Sequence, residues 1–145
     1  MNAPLRELPD WAAELLEQGR VAHLGFLDDH DWPRALPVTY ALHGDALWTA
    51  VDEKPKRVGG HQLARVRFLQ RRPEASLTVD RYDDDWEKLA WVLVLGQIEI
   101  LETADAPDAV AALREKYAPY SETTPGGPLL RLDPARALCW RADRG

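Results

Sequence analysis

The sequence of 145 residues lacks most features of secreted, zinc-binding or membrane-spanning proteins. Cys139 is the only cysteine, which excludes an internal disulfide and a zinc site built on cysteines. The longest apolar run, residues 89–95, is far shorter than the roughly 20 residues of a membrane-spanning helix. Residues 1–10 contain prolines and charges but no apolar block of the roughly 7–15 residues of a secretory signal. We therefore expect one cytoplasmic domain spanning residues 1–145, with no membrane partner.

Several sequence patterns of known enzyme classes are also missing. The sequence has no phosphate-binding Walker loop, no Gly-x-Gly-x-x-Gly fingerprint, no His-Glu-x-x-His helix and no recognisable Ser/His/Asp set. The four histidines are scattered, and we interpret residues 83–85, three consecutive aspartates, as a polar turn. We therefore expect no bound metal, and no catalytic side chain can be named.

The distribution of charge along the chain favours one small anionic ligand. The net charge is −6, yet residues 54–72 contain seven basic residues and no acidic one. The rest of the chain has 11 basic and 24 acidic residues, a net charge of −13. Such a field repels the phosphates of duplex nucleic acid, which makes nucleic acid an unfavourable partner.

Hydrophobic periodicity predicts a mainly β fold with helices at its margins. Pro37 inside a strand indicates a sheet edge or a bulge, and Gly96 in a long strand indicates a bulge or a sharp bend at a barrel corner. Short strands in this number fit a small closed barrel. The predicted helices cover residues 9–18, 60–72 and 105–117, and the predicted strands cover residues 20–27, 34–42, 46–51, 75–82, 89–102, 129–132 and 135–140.

A resemblance to a known family covers nearly the whole chain. Its motifs are residues 48–57 (WTAVDEKPKR), residues 80–86 (DRYDDDW) with the following Leu89, Trp91, Val92 and Gly96, residues 34–40, the Lys116-Tyr117 and Tyr120 segment, and residues 136–140. They resemble the pyridoxamine 5'-phosphate oxidase-like split-barrel superfamily. Within it, the sequence is similar to the flavin and deazaflavin dependent oxidoreductases that use coenzyme F-420.

The resemblance implies a fold, an assembly and a binding site. The fold is a six-stranded antiparallel split β-barrel of the FMN-binding type, and two copies form a homodimer with a cofactor groove at the subunit interface. Three basic residues would hold the cofactor phosphate: Lys54, Lys56 and Arg57. Backbone and side chains of two strands would line the ring and ribityl chain: Val38, Thr39, Thr49 and Ala50. Two tryptophans, Trp86 and Trp140, would lie at the subunit groove, and the arginines at 65, 67, 71 and 72 would meet an oligoglutamate tail.

The implied activity is hydride transfer between a deazaflavin of the coenzyme F-420 type and a small unsaturated or conjugated organic molecule. Such a cofactor performs the redox chemistry itself, which agrees with the lack of a catalytic constellation in the sequence. Two alternatives stay open: an FMN-binding flavin reductase or oxidase of the same fold, and a non-catalytic split barrel that binds a flavin, haem or tetrapyrrole.

Overall fold

The sheet of this protein is antiparallel throughout the part of the chain that the computed structural model describes, residues 3–51 and 64–142. Its strands are β1 (Ala22–Leu27), β2 (Pro33–Val38), β3 (Ala41–His43), β4 (Ala46–Ala50), β5 (Glu74–Arg81), β6 (Ala90–Leu101) and β7 (Leu129–Arg141). They pair in the order β2-β1-β5-β6-β7-β4-β3. Pro37 therefore lies in an edge strand, as predicted, where its missing N–H costs no ladder bond.

A very short link joins the two edges of the sheet. Only Thr39 and Tyr40 separate β2 from β3, which are the two edge strands. The three Cα–Cα steps from Val38 to Ala41 span at most about 11 Å, so the sheet has to curl until its edges approach each other. The predicted antiparallel barrel with flanking helices is confirmed.

The strand predicted over residues 34–42 is divided at this link into β2 and β3, and the described residues form seven strands, one more than the family resemblance implies. The N–H of Tyr40 donates to the Tyr117 hydroxyl at 3.1 Å. A side chain thus replaces the neighbouring strand as the partner of this backbone group, and the ladder stops.

The two strands predicted over residues 129–132 and 135–140 are one continuous strand, β7, with a bulge. Leu95 pairs with Arg136 but Gly96 pairs with Pro134, so one extra residue of β7, Ala135, is accommodated between them. A Cβ added at Gly96 would lie 2.0 Å from the carbonyl oxygen of Asp133. Glycine is required for this close approach, which confirms the bulge expected at Gly96.

The helices are α1 (Ala3–Arg6), α2 (Asp10–Gln18), α3 (Ala64–Arg71), α4 (Pro107–Lys116) and α5 (Ala118–Glu122). The predicted helices at residues 9–18 and 105–117 correspond to α2 and α4, which both begin next to a proline. Of the helix predicted over residues 60–72, the first four positions lie outside the described residues. No helix in the described ranges has the length and apolar character to span a membrane.

Two hydrophobic cores support the sheet. The larger core fills the barrel and includes Leu24, Leu77 and Val92. The smaller core lies between α4 and the strands β3 and β4, and it includes Trp48 and Leu113. Because β4 lies between the two cores, all five of its residues are buried.

Candidate functional site

Four of the predicted site residues lie around the junction between β2 and β3. Val38 ends β2 and Thr39 follows it, whereas Thr49 and Ala50 end β4. Ala41, the first residue after the junction, pairs with Trp48, so the junction lies toward the end of β4 that holds Thr49 and Ala50. We call these four residues, Val38, Thr39, Thr49 and Ala50, the corner site.

The basic segment predicted to bind phosphate follows the corner site directly in sequence. After Val51 the chain enters residues 52–63, which contain Lys54, Lys56 and Arg57. These three residues lie outside the described part of the chain. In sequence, the segment begins two residues after Ala50, one of the residues predicted to line the cofactor ring.

Thr49 has a buried hydroxyl with no hydrogen-bond partner among the described residues. The residue is 3% exposed, and its Oγ1 is fully shielded. Leu47 and Val51, two positions to either side, belong to the barrel core, so alternation places Thr49 on that face of β4. Buried hydroxyl groups are nearly always hydrogen-bonded, so this unpaired hydroxyl is an exception among the described residues.

Thr39, another residue of the corner site, shares a hydrogen bond with a tyrosine of α5. Thr39 Oγ1 lies 3.1 Å from the hydroxyl of Tyr120 in α5. Both side chains are half-buried, so their hydroxyls are shielded but within reach of a ligand. The two residues are 81 positions apart in sequence, and the only sequence signal for Tyr120 is its place in the family resemblance.

The hydroxyl of Tyr117 holds the junction itself. It accepts the N–H of Tyr40 and donates toward the carbonyl oxygens of Arg20 at 2.8 Å and Tyr40 at 3.0 Å. Burial raises the pKa of Tyr117, although the backbone hydrogen bond with Tyr40 and the charge of Arg20 lower it in part. One phenol therefore joins the end of α4, the start of β1 and the β2–β3 junction.

A cationic and aromatic cluster lies beneath this junction. The Lys116 Nζ lies 3.9 Å from the centre of the Tyr40 ring, and the Arg20 guanidinium lies 4.6 Å from the centre of the Tyr117 ring. Lys116 Nζ is buried without a hydrogen-bond partner in the described ranges. Burial lowers the pKa of Lys116 to about 8, the charge of Arg20 acts in the same direction, and Glu17 opposes both.

The two predicted site tryptophans lie elsewhere in the chain. Trp86 is in a short 3-10 turn, Trp86–Lys88, and Trp140 is next to the end of β7. The N–H of Ala142 donates to the carbonyl of Leu89, so these two segments meet. Leu129, at the start of β7, pairs with Ala50 of the corner site. Trp140 lies eleven positions further along β7, which is roughly 36 Å of extended strand. Within one chain, Trp140 and the corner site are therefore at opposite ends of β7.

Arg71 and Arg72 are exposed, as expected, and have carboxylate partners, whereas Arg65 is half-buried and its Nε has no hydrogen-bond partner among the described residues. Arg71 forms an ion pair with Asp29 at 2.7 Å, and Arg72 forms one with Asp31 at 2.5 Å. The sequence did not predict these pairs, because they join α3 to the distant β1–β2 turn. They reduce the positive charge that α3 presents to an anionic ligand.

The acidic turn at residues 83–85 is stabilised by its own hydrogen bonds. Asp83 accepts the N–H of Asp85 at 2.7 Å, and Asp85 accepts the N–H of Glu87 at 3.2 Å. Within residues 3–51 and 64–142, no three His, Cys, Asp or Glu side chains form a group that could hold a metal ion.

Solved structures with this fold bind several different cofactors. A protein named F420 reductase is 16% identical, with a TM-score of 0.67 over 90% of this chain and 98% of the other. A FAD-binding protein from Mesorhizobium loti is 17% identical, with a TM-score of 0.66 over 91% and 94%. A heme binding protein from Mycobacterium smegmatis is 21% identical, with a TM-score of 0.68 over 93% and 59%. At these identities the similarity shows the fold alone.

The sequence itself gives the family. Comparison with curated proteins finds no match. The family model described as pyridoxamine 5'-phosphate oxidase matches residues 10–138, a range from the start of α2 almost to the end of β7. The corner site, Trp86 and the basic segment are all inside this match. The chain therefore belongs to the pyridoxamine 5'-phosphate oxidase-like split-barrel family.

Proposed function

We propose that this protein is an oxidoreductase that transfers a hydride between a deazaflavin cofactor of the coenzyme F-420 type and a small unsaturated or conjugated organic molecule. The cofactor supplies the hydride chemistry when bound. The chain's own residues bind it, orient it and exclude water from the reacting atoms.

The observation that supports this proposal best is the unpartnered hydroxyl of Thr49 at the end of β4. It lies at the strand end that leads into the basic segment, and Thr39, which follows β2, shares a hydrogen bond with the hydroxyl of Tyr120. Polar groups of this kind, next to a sequence rich in cations, suit a ligand that combines a polar heterocycle with a phosphate. The residues of the corner site therefore fit such a cofactor.

We assign the phosphate to the basic segment. Lys54, Lys56 and Arg57 all lie within seven residues after Ala50, and Gly59 and Gly60 follow them. Glycines let backbone N–H groups approach an anion closely, and lysine and arginine form charge-assisted hydrogen bonds with phosphate oxygens. The arginines of α3 contribute less, since Arg71 and Arg72 are paired with Asp29 and Asp31.

We further propose that the working form is a homodimer. Trp91 and Trp140 pair directly across β6 and β7, and both are partly exposed. Their neighbours on the same outward face, Leu93 and Leu138, also pair with each other. An apolar sheet face of this kind is unusual on a monomer and suits a subunit interface. A groove between two chains would also place the tryptophans of one chain beside the corner site of the other.

Two other functions of the same site use different ligands. An FMN-dependent reductase or oxidase needs the same phosphate contacts, and the Mesorhizobium loti protein of this fold binds a flavin. A non-catalytic carrier of a flavin, haem or tetrapyrrole is the third possibility, and the Mycobacterium smegmatis protein of this fold binds heme. Ligand titration separates these functions because each names a different preferred ligand.

The test is a fluorescence titration of the purified protein with coenzyme F-420, with FMN and with haem. We expect salt-sensitive binding that favours coenzyme F-420, weakened by about tenfold or more in Lys56→Ala/Arg57→Ala. The matched control is Arg71→Ala/Arg72→Ala, which removes the same charge from arginines already paired with carboxylates and keeps nearly the full affinity.

Each outcome of this titration assigns the site differently. Equal losses in the two double variants would reject the phosphate assignment, because only the overall charge would then matter. A preference for FMN would identify the flavin enzyme, and a preference for haem would identify the carrier. Turnover is tested on the preferred cofactor with conjugated enones as acceptors, and tight binding without reduction of any acceptor would reject the oxidoreductase.

A further inference from the structure

The residue that fixes the corner site is Tyr117, which is itself no part of it. Its hydroxyl accepts the N–H of Tyr40 and reaches the carbonyl oxygens of Tyr40 and Arg20. Thr39 is the residue next to Tyr40. The backbone position of Thr39 therefore depends on the hydrogen bond that its neighbour Tyr40 donates to Tyr117, which lies 77 positions after Tyr40.

The same tyrosine also positions the second hydroxyl of the site. The rings of Tyr117 and Tyr120 are in edge-to-face contact, with centroids 6.0 Å apart and planes at 79°. Tyr120 in turn shares a hydrogen bond with Thr39 Oγ1. Tyr117 thus holds both members of the hydroxyl pair, Thr39 through the backbone and Tyr120 through its ring.

The surroundings keep Tyr117 in one orientation. The Arg20 guanidinium lies over one part of the ring at 4.6 Å and the Lys116 ammonium lies 5.4 Å from its centre. The residue is 7% exposed. The Tyr117 ring therefore has little freedom to move, because it is packed on its faces and its hydroxyl joins three chain segments. Precise placement of a binding group requires such rigid support.

We propose that Tyr117 is a positioning residue for ligand binding, and that it sets ligand affinity through Thr39 and Tyr120. This inference rests on the proposed function, because it takes the corner site to be where the cofactor ring binds. In this proposal the hydroxyl of Tyr117 does not contact the ligand. It determines how well the hydroxyls of Thr39 and Tyr120, which do contact the ligand, are placed.

The test compares two Tyr→Phe variants that each remove one buried hydroxyl. Tyr117→Phe removes the bonds at the junction. Tyr40→Phe removes a bond from the Tyr40 hydroxyl to the carbonyl of Leu16 and leaves the junction intact. We expect Tyr117→Phe to weaken binding of coenzyme F-420 or FMN by about fivefold, the ratio that corresponds to one hydrogen bond, and Tyr40→Phe to leave it nearly unchanged.

Two further measurements separate positioning from a loss of stability. In the ligand-free protein the Tyr40 amide should exchange with solvent about tenfold faster in Tyr117→Phe than in Tyr40→Phe. In a double-mutant cycle, Tyr117→Phe should add little to the loss caused by Thr39→Val, because both act through the same contact. If Tyr117→Phe does not fold, Arg20→Met keeps every hydroxyl of the site but removes the cation that lies over the Tyr117 ring; it should weaken binding by a smaller factor, and unchanged binding would reject the positioning role.

The two failures give different results. If the wild-type protein binds neither coenzyme F-420 nor FMN, the proposed function fails and this inference fails with it. If the wild-type protein binds one of them while Tyr117→Phe binds it equally well, the proposed function stands and the positioning role is rejected. Equal losses in Tyr117→Phe and Tyr40→Phe would also reject it, since stability alone would explain them.

Discussion

The ammonium of Lys116 lies 3.9 Å from the centre of the Tyr40 ring and has no hydrogen-bond partner among the described residues. The face of an aromatic ring attracts a cation, but it does not replace the hydrogen bonds that an ammonium group makes with water. Burial and the charge of Arg20 therefore favour the neutral amine, and the pKa of Lys116 falls from its ordinary value of 10.5 to about 8.

This shift predicts that stability rises with pH in the alkaline range. Between the two pKa values the unfolded chain binds a proton at Lys116 that the folded protein has lost, so the free energy of unfolding increases. Lys116 is half-buried, so solvent screens part of this effect, and we expect a gain of up to about 1 kcal/mol between pH 8 and about 9.5. Burial also raises the pKa of Tyr40, which lowers stability at still higher pH, so the measurement stops there. Chemical denaturation at several pH values measures the gain.

Two lysine variants show whether Lys116 is the source of this gain. Lys116→Met keeps the apolar stem and removes the buried charge, so it should be at least as stable as the wild type at pH 7 and should lose the alkaline gain. Lys88→Met, in an exposed turn, should retain it. An unchanged slope in Lys116→Met would assign the effect to another group.

We expect the substitution of glycine by alanine to lower the free energy of unfolding by different amounts at Gly96 and at Gly44. A methyl group at Gly96 would lie 2.0 Å from the Asp133 carbonyl oxygen, so Gly96→Ala has to displace β7. Gly44 has a φ of 59° in open space, so Gly44→Ala meets backbone strain alone, about 1 kcal/mol. We expect Gly96→Ala to cost about 3 kcal/mol or more in chemical denaturation. Similar costs at both positions would mean that the bulge adjusts easily.

Local sequence signals account for much of this fold. The residues His43, Gly44 and Asp45 have the composition of a hairpin turn, and they form one in the structure, with positive φ at Gly44 and Asp45 as a type I′ turn requires. The strand predicted over residues 46–51 matches β4 closely, and Gly19 marks the end of α2. In each case the signal lies within a few residues of the structure that it determines.

The features that sequence reasoning missed all depend on contacts between distant residues. The break between β2 and β3 depends on the hydroxyl of Tyr117, and no residue near Tyr40 in sequence predicts this break. Two strands were predicted over residues 129–132 and 135–140, because the bulge opposite Gly96 that keeps β7 continuous forms only after β6 and β7 pair. Likewise, Thr39 was predicted as a site residue, but its partner Tyr120 becomes visible only in three dimensions.

The ion pairs of α3 predict a gain in affinity when their carboxylates are removed. Asp29→Asn/Asp31→Asn frees Arg71 and Arg72 to meet an anionic tail, so affinity for coenzyme F-420 should rise by about two- to fivefold at low salt. FMN, which has no such tail, should bind as before. Because both pairs are exposed, stability should fall by less than about 1 kcal/mol.

The control for this gain removes two acidic charges elsewhere. Asp83→Asn/Asp84→Asn changes the net charge by the same amount in the turn between β5 and β6, away from α3. Fluorescence titration of both double variants should show the gain only for the first. A gain in both would trace the effect to net charge, and a gain in neither would mean that the tail does not meet α3.

The outward face of β6 and β7 predicts a dimer that a single charge can dissociate. Trp91 and Trp140 pair across the two strands and stay partly exposed, whereas their neighbours in sequence Val92 and Cys139 pack toward the barrel core. A lysine at Trp140 would place a charge within the proposed interface, where desolvation makes it costly. We therefore expect Trp140→Lys to shift the protein from dimer to monomer in sedimentation velocity.

Trp32 supplies the matched control, because it is 69% exposed but lies in the turn between β1 and β2. Trp32→Lys removes an equally large exposed ring, so a general effect of surface hydrophobicity would weaken association in both variants alike. Association lost only in Trp140→Lys would assign the interface to β6 and β7. If the dimer is needed to complete the site, that variant should also lose cofactor affinity, whereas a monomer that binds as tightly as the wild type would show that one chain forms the whole site.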